Sequence, residues 1–228
     1  MSSKKAYLTL RLSGPMQSWG SDSRFSRRNT GLMPSKSAIA GICCAALGYD
    51  RGSEKERAFL EEFVSVEMIA IRLPKKKRSG ECLSVRRLVD YHTIQDTKKA
   101  NGETKASHIT YRQYLTDADL GVVLAGCASL LEITASALKD PVWGIWLGRK
   151  SCIPTLPVFV ALKDSREKAL TSLIGDMSLD RFTCQKQVEI FAKGKDTLMD
   201  NPLSFALDNR RFLPRRVVTI QEKQEETS

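Results

Sequence analysis

Residues 119–126, DLGVVLAG, constrain the fold more than any other stretch of this 228-residue chain. Beyond Asp119 they carry no polar side chain, the pattern of a strand buried at the centre of a sheet. A helix follows at once. Leu130, Leu131, Ala135 and Leu138 fall in helical register over Cys127–Lys139, and Pro141 ends it. The chain opens with the same order. Leu8, Leu10 and Leu12 alternate with Tyr7 and Thr9 as a strand. Ile39, Ile42, Cys43, Ala46 and Leu47 then fall on one helical face. That helix begins after Pro34, with Ser35 or Ser37 able to cap it, and stops at Gly48.

Periodicity places the other elements. Ala58, Leu60 and Phe63 space a short surface helix, and Val64–Leu73 alternates as a strand ended by Pro74. Val142–Pro157 reads as a strand running into a turn at Gly148, and Val158–Leu162 as another short strand. A helix spans Ser165–Gly175, Thr183–Phe191 alternates as a strand, residues 196–208 read as loop, and Val217–Ile220 is a last strand. The order is β-α-β-hairpin-β-α-β followed by more β with one helix. It predicts an α+β fold, a ferredoxin-like or RRM-like sheet with its helices on one face. A small C-terminal β-rich extension begins at about residue 183. The hairpin, residues 74–115, is an insertion in a body made of 1–73 and 116–228.

The net charge of +10 points to a polyanionic partner, and its distribution is uneven. Residues 72–115 hold eleven Lys or Arg against four acids, and residues 11–36 hold five against one. In the insertion, Cys82–His92 and His108–Leu115 are β-like and flank a Lys-rich loop with an Asn101-Gly102 turn signal. They predict a projecting basic hairpin whose tip, 93–107, is mobile when free. Arg86, Arg87 and Tyr91 on its arms suit a grip on a single strand by charge and stacking. The first loop, Ser13–Pro34, carries Gln17, Trp19, Arg24, Arg27 and Arg28. It leads to Ser35, Lys36 and Ser37 at a helix start, where backbone N–H groups attract phosphate. Trp19 has two readings, stacking on a base or packing the loop onto the sheet. Gly148 lets the backbone approach a ligand closely, with Arg149, Lys150 and Ser151 beside it.

No Walker A, G-x-G-x-x-G or H-E-x-x-H pattern occurs. The six cysteines form no C-x-x-C pair and read as free thiols, so no metal site is expected. Asp117 and Asp119 suit a turn or cap better than a metal nuclease. A metal-independent ribonuclease needs a base, an acid and positive charge. Tyr91, His92, Lys105 and His108 in the insertion contain those parts, yet the same residues also bind RNA without cutting it. Binding is the preferred reading, and cleavage stays open as the alternative. No apolar run reaches the ~18 residues of a membrane span, and no signal-peptide core precedes the first strand, so a cytoplasmic location is expected.

Taken in order, RLSGPMQSWG, PSKSAIAGICCAALG, DYHT, YLTDADLGVVLAG, LGRKSC and NRRFLPRRVV resemble the CRISPR-associated protein family five, over Leu8 to Val218. Within that family they resemble the CasD subgroup of type I-E Cascade. The resemblance weakens at the hairpin tip and between Asp164 and Asn209. It implies a RAMP-type protein with a ferredoxin-like palm and a β-hairpin thumb, gripping the 5′ handle of the CRISPR RNA (crRNA). The thumb would reach a neighbouring backbone subunit, and the palm would lie beside the large subunit that reads the protospacer-adjacent motif. Target DNA is then an indirect partner, and no cofactor, small-molecule ligand or membrane is implied. Type I-E members are usually non-catalytic, whereas the type I-C counterpart cuts repeat RNA. This chain lacks the extended C-terminal β domain expected of the cutting form. Carried onto this sequence, the handle-binding residues are Gln17, Trp19, Arg24, Arg27, Arg28, Ser35, Lys36 and Ser37, with Arg149, Lys150 and Ser151 from the glycine turn. Arg86, Arg87 and Arg112 come from the thumb.

Overall fold

The computed structural model describes residues 4–20, 23, 26–99, 101–188 and 191–222. Along them run β1 (Lys5–Ser13), β2 (Met16–Gln17), β3 (Trp19–Gly20), β4 (Arg27–Arg28), β5 (Thr30–Gly31), α1 (Lys36–Leu47), α2 (Glu54–Phe63) and β6 (Glu67–Arg72). The insertion contributes β7 (Lys75–Lys76), β8 (Cys82–Leu83), β9 (Arg86–Lys98) and β10 (Thr104–Thr116). Then come β11 (Asp119–Cys127), α3 (Ala128–Lys139), β12 (Phe159–Lys163), α4 (Arg166–Ile174), β13 (Cys184–Gln187), β14 (Asp196–Ser204) and β15 (Arg211–Ile220).

The apolar run is central, as its pattern requires. β11 lies between β1 and β6, with Leu124 opposite Leu8 on one side and Val122 opposite Ala70 on the other. The main sheet has the order β12-β1-β11-β6-β13-β15-β14, and every pairing in it is antiparallel. Counted along the unit β1-α-β6-β11-α3-β12, its four strands lie in the order 4-1-3-2.

Strand alternation sorts the core into two layers. Leu8, Leu10, Leu12, Leu120, Val122 and Leu124 face α1, α2 and α3, where Ile39, Leu60, Phe63 and Leu131 are fully buried. Each such side chain contributes about 1.5–3 kcal/mol. Ile69, Ile71, Val123 and Cys184 face the other way, against Ala169 and Ile174 of α4. The expectation of helices on one face therefore fails for α4. Its short apolar stripe covers the second face, and Ser172 meets Thr9 of β1 at 3.1 Å.

Local chemistry fixes the helix ends. Ser35 Oγ accepts from the Ala38 N–H, and Gly48 closes α1 in the left-handed region at φ 69°. Ser53 caps α2 by accepting from the Glu56 N–H, and Ser165 caps α4 in the same way through Lys168. All six cysteines are free thiols, four of them buried and Cys82 exposed. No helix among the described residues is long and apolar enough to cross a membrane.

Two other expectations change. Residues 196–208 are strand as far as Ser204, because β14 pairs with β15 through two irregularities of register. Its polar sequence, DTLMDNPLS, and a proline hid the pattern, and such a proline is tolerated on the sheet edge that β14 forms. Conversely, Val142–Pro157 contains no strand. Its backbone bonds go instead to the end of α1, where the Val142 N–H meets Ala46 O at 2.9 Å, and to the first loop, where Leu147 O accepts from the Ser18 N–H at 2.9 Å.

The insertion is a hairpin longer than its composition suggested. β9 and β10 pair from Arg86↔Thr116 to Lys98↔Thr104. The expected loop over 93–107 shrinks to a turn in which the Lys99 N–H donates to Glu103 O and the Gly102 N–H to Lys99 O. At its base β10 is held by β2 through Leu115↔Gln17 and by β4 through Tyr111↔Arg27.

Candidate nucleic-acid interface

The first loop is built from the inside out. Gln17 is fully buried, and its amide nitrogen donates to Leu12 O at 2.7 Å and Ala118 O at 2.9 Å. Its amide oxygen accepts from the Trp19 indole N–H at 3.1 Å. Trp19 is itself buried, and its backbone N–H donates to Thr30 Oγ1. Of the two readings of Trp19, packing is the one found. Gln17 and Trp19 hold the loop on the sheet and present no free polar atom or ring to a ligand. Arg27 and Arg28, by contrast, are exposed on β4. Arg24 lies outside the described residues.

The start of α1 is not an open phosphate site. The Lys36 N–H donates to Asp200 Oδ2 at 2.8 Å, so a carboxylate from β14 already occupies part of the helix N-terminus. Asp200 in turn accepts from Arg215 Nε at 2.9 Å and Nη2 at 2.7 Å, a forked pair buried on both sides. The Lys36 side chain, expected to meet RNA, points inward. Its Nζ donates to Val64 O at 2.8 Å and lies over the Phe63 ring. Burial, reinforced by the nearby Arg215 charge, pulls its pKa down to about 7. Ser35 and Ser37 remain at the surface of this helix start, their hydroxyls 3.1 Å apart.

A cleft of about 610 Å³ opens beside these serines. One wall is the first loop with Ser18, Gly20, Arg28 and Asn29. A second is the segment from Trp143 to Lys150. A third comes from the C-terminal strands, with Phe205, Arg210 and Phe212. Arg28, Arg51, Arg149, Lys150 and Arg210 line it against one acid, Glu56. Tyr49, Trp143, Trp146, Phe205 and Phe212 supply rings. Charge for a backbone and rings for bases is the combination that holds single-stranded nucleic acid. The cleft unites five of the expected residues: Arg28, Ser35, Ser37, Arg149 and Lys150. The sequence reading missed Arg51, Arg210 and all five rings. The crowding of tryptophans in VWGIW, and the aromatic within NRRF, were the available signals.

Gly148 and Arg149 join the walls. Gly148 sits at φ 101°, and a Cβ placed on it would meet Ser18 O at 1.8 Å. The close backbone approach expected there is real, but it is made to the protein's own first loop. Arg149 donates to Gln113 O at 2.8 Å and Arg28 O at 3.0 Å while lying 4.6 Å over the Tyr114 ring. It ties the glycine turn to the hairpin base and the first loop. Ser151 is exposed in the next turn and does not line the cleft.

The hairpin divides its charged residues by pleat. Arg86, Arg112 and the paired Arg28 fall on one face, with Arg149 against Tyr114 beside them. Arg87 lies on the opposite face, where Arg27 covers the Tyr111 ring and Tyr111 meets Tyr91 edge-on at 5.6 Å. The same pleat separates Tyr91, His92, Lys105 and His108. Tyr91 and Lys105 share one face but stand six strand positions apart, about 20 Å. His92 and His108 are on the other face, and His92 Nδ1 is 3.6 Å from Asp90 Oδ2. The four do not converge on one point, so they do not form the acid–base constellation the alternative required. Asp119 is committed to Arg11 at 2.7 Å, and Asp117 turns the chain at φ 59°.

The chain matches the family described as CRISPR-associated protein (Cas_Cas5) over residues 7–218. It is 33% identical over 161 residues to the CRISPR system Cascade subunit CasD of Escherichia coli (strain K12), spanning 68% of this chain and 70% of that protein. In structure it is similar to a chain of a CRISPR RNA-guided surveillance complex, at 29% identity and a TM-score of 0.71, covering 94% of this chain and 90% of the other. A second similar structure is a Cas protein, at 27% identity and a TM-score of 0.65, with 95% of each chain covered.

Proposed function

Since the chain belongs to the Cas5 family of CRISPR-associated proteins, we propose that it serves a type I surveillance complex as the cytoplasmic, non-catalytic subunit that holds the 5′ handle of the crRNA. In this reading residues 1–73 and 116–228 form a ferredoxin-like, RAMP-type palm, supported by the 4-1-3-2 strand order. Residues 74–115 are the thumb, directed at a neighbouring backbone subunit, and the palm adjoins the large subunit. The observation that carries the proposal is the three-walled cleft, where five cations and five aromatic rings meet. Arg28, Arg149, Lys150 and Arg210 neutralise phosphates, and the rings take splayed bases. Arg86 and Arg112 extend the positive track along the thumb.

Binding of labelled handle RNA across a salt series tests this. The log of affinity should fall with log salt at a slope of about −3 if the cleft engages five phosphates or slightly fewer. The double variant Arg28→Glu with Lys150→Glu should weaken binding at least tenfold; undiminished affinity would sink the proposal. The same RNA should be recovered full-length after incubation in EDTA. Cleavage that disappears in His92→Ala would overturn the non-catalytic half.

A further inference from the structure

Two residues of the cleft are glycines that the chain's own packing does not require. Of the 14 glycines in the sequence, six sit at positive φ, and six more would set a Cβ 3.4 Å or less from a neighbouring atom. Gly20 and Gly41 do neither: a Cβ on either would meet no atom within 4 Å among the described residues. Both line the cleft, Gly20 from the first loop and Gly41 from the middle of α1. Gly41 is the costlier of the two, since a mid-helix glycine destabilises a helix relative to alanine. The helix surface around it is apolar, with Ala38, Ile42 and Ala45 lining the same cleft. Mid-helix N–H groups are spent on carbonyls four residues back, so this surface offers phosphate no donor. The Trp143 wall stands against the end of it. The Trp143 N–H donates to Ala45 O at 3.2 Å, and its side chain is 40% exposed.

We propose that Gly41 is a base-seating residue: one nucleobase of the bound RNA lies flat on α1 there, its ring against the bare helix backbone, while Gly20 keeps the first-loop wall open. This deepens the RNA reading of the cleft and rests on it. A side chain at 41 would stand on the seat. Helical side chains lean back over the preceding turn, so a leucine at 41 would cover the surface towards Ala38 as well. The seat meets a ring face, which every base has, so it holds a base without choosing among the four. The cations of the cleft take the phosphates, and the seat adds affinity that only a chain with bases gains.

The test compares oligouridylate with an abasic ribose-phosphate chain of equal length, bound to the full-length wild type, to Gly41→Leu and to Ala58→Leu. The two probes carry the same charge and differ only in the bases. Ala58 is exposed on α2 and does not line the cleft, so its leucine variant controls for added apolar surface. Wild type and Ala58→Leu should prefer oligouridylate by about tenfold or more. Gly41→Leu should narrow that preference about tenfold, binding oligouridylate more weakly and the abasic chain as wild type does, with an unchanged salt slope. Because a Cβ at 41 meets nothing and leucine is the better helix former, Gly41→Leu should melt no lower than wild type. Undiminished binding of oligouridylate by Gly41→Leu, or equal weakening of both chains, would overturn the seat. A marked fall in its melting temperature would do the same, since the glycine would then serve packing. Equal affinity of wild type for the two chains would overturn the seat and leave the cleft standing as a phosphate site. Failure of wild type to bind either chain at low salt would overturn the RNA site itself, and Gly41 with it.

Discussion

Gly148→Ala probes the joint between two walls of the cleft with a single methyl group. Its Cβ would lie 1.8 Å from Ser18 O, against a floor of 3.0 Å for real contacts; the Cβ is fixed rigidly to the backbone and Ser18 O is itself a main-chain atom. The clash requires a backbone shift of more than 1 Å, about the difference between those distances. A non-glycine residue at φ 101° adds strain of about 1–3 kcal/mol. The shift breaks the Ser18 N–H bond to Leu147 O, worth about 1 kcal/mol, and displaces Arg149 from its two carbonyl partners, worth about 1–2 kcal/mol more. The sum is about 3–6 kcal/mol, and at about 2–4 °C per kcal/mol for a chain of this size the melting temperature drops by about 10 °C or more. Differential scanning fluorimetry measures that drop, and handle-RNA anisotropy below the melting range should show weakened binding, because Arg28 and Arg149 move apart. A variant melting within about 2 °C of wild type, with unchanged affinity, would refute the reasoning.

Two further outcomes follow from the buried charges behind the cleft. Lys36 has a folded-state pKa of about 7 against an ordinary 10.5, so below pH 7 both states hold the proton and its burial cost is fully present. Between those values the native state sheds the proton first, so the melting temperature should climb as pH rises from 7 towards 10, and Lys36→Met should flatten that climb while melting higher than wild type at pH 7. Asp200→Asn leaves Arg215 buried without its counter-charge and should cost about 3–5 kcal/mol. Replacing Asp200 and Arg215 together by leucine should recover most of that loss in a thermal melt, and a fully stable Asp200→Asn would show the pair to be dispensable.

The apolar periodicity of β1, β11, α1 and α3 was legible because each segment buries one face or two against its own sheet. What escaped is what depends on residues far apart in sequence. Lys36, Ser35 and Ser37 look alike as helix-start ligands, yet only the arrival of Asp200 and Phe63 decides that the lysine turns inward. Nothing near Gln17 announces that Leu12, Ala118 and Trp19 will consume its amide. β14 was invisible because its partner, β15, supplies the order that its own polar residues lack. The division of Tyr91 from His92 was readable in principle, since adjacent residues of a strand point to opposite faces. The aromatic half of the cleft came from Tyr49, from VWGIW and from Phe205 and Phe212, which acquire meaning only when three separate segments meet.

The sheet order has a consequence for synthesis on the ribosome. β1 emerges first, yet its two neighbours, β11 and β12, begin at Asp119 and Phe159. At about 5–20 residues per second, its two hydrogen-bonding edges wait several seconds or more for a partner. The last wall of the cleft, Phe205 to Phe212, is made later still, after both other walls. A nascent chain thus completes the cleft only once residues 205–212 have emerged, and until β11 and β12 arrive the unpaired edges of the first strand are the segment most in need of a chaperone.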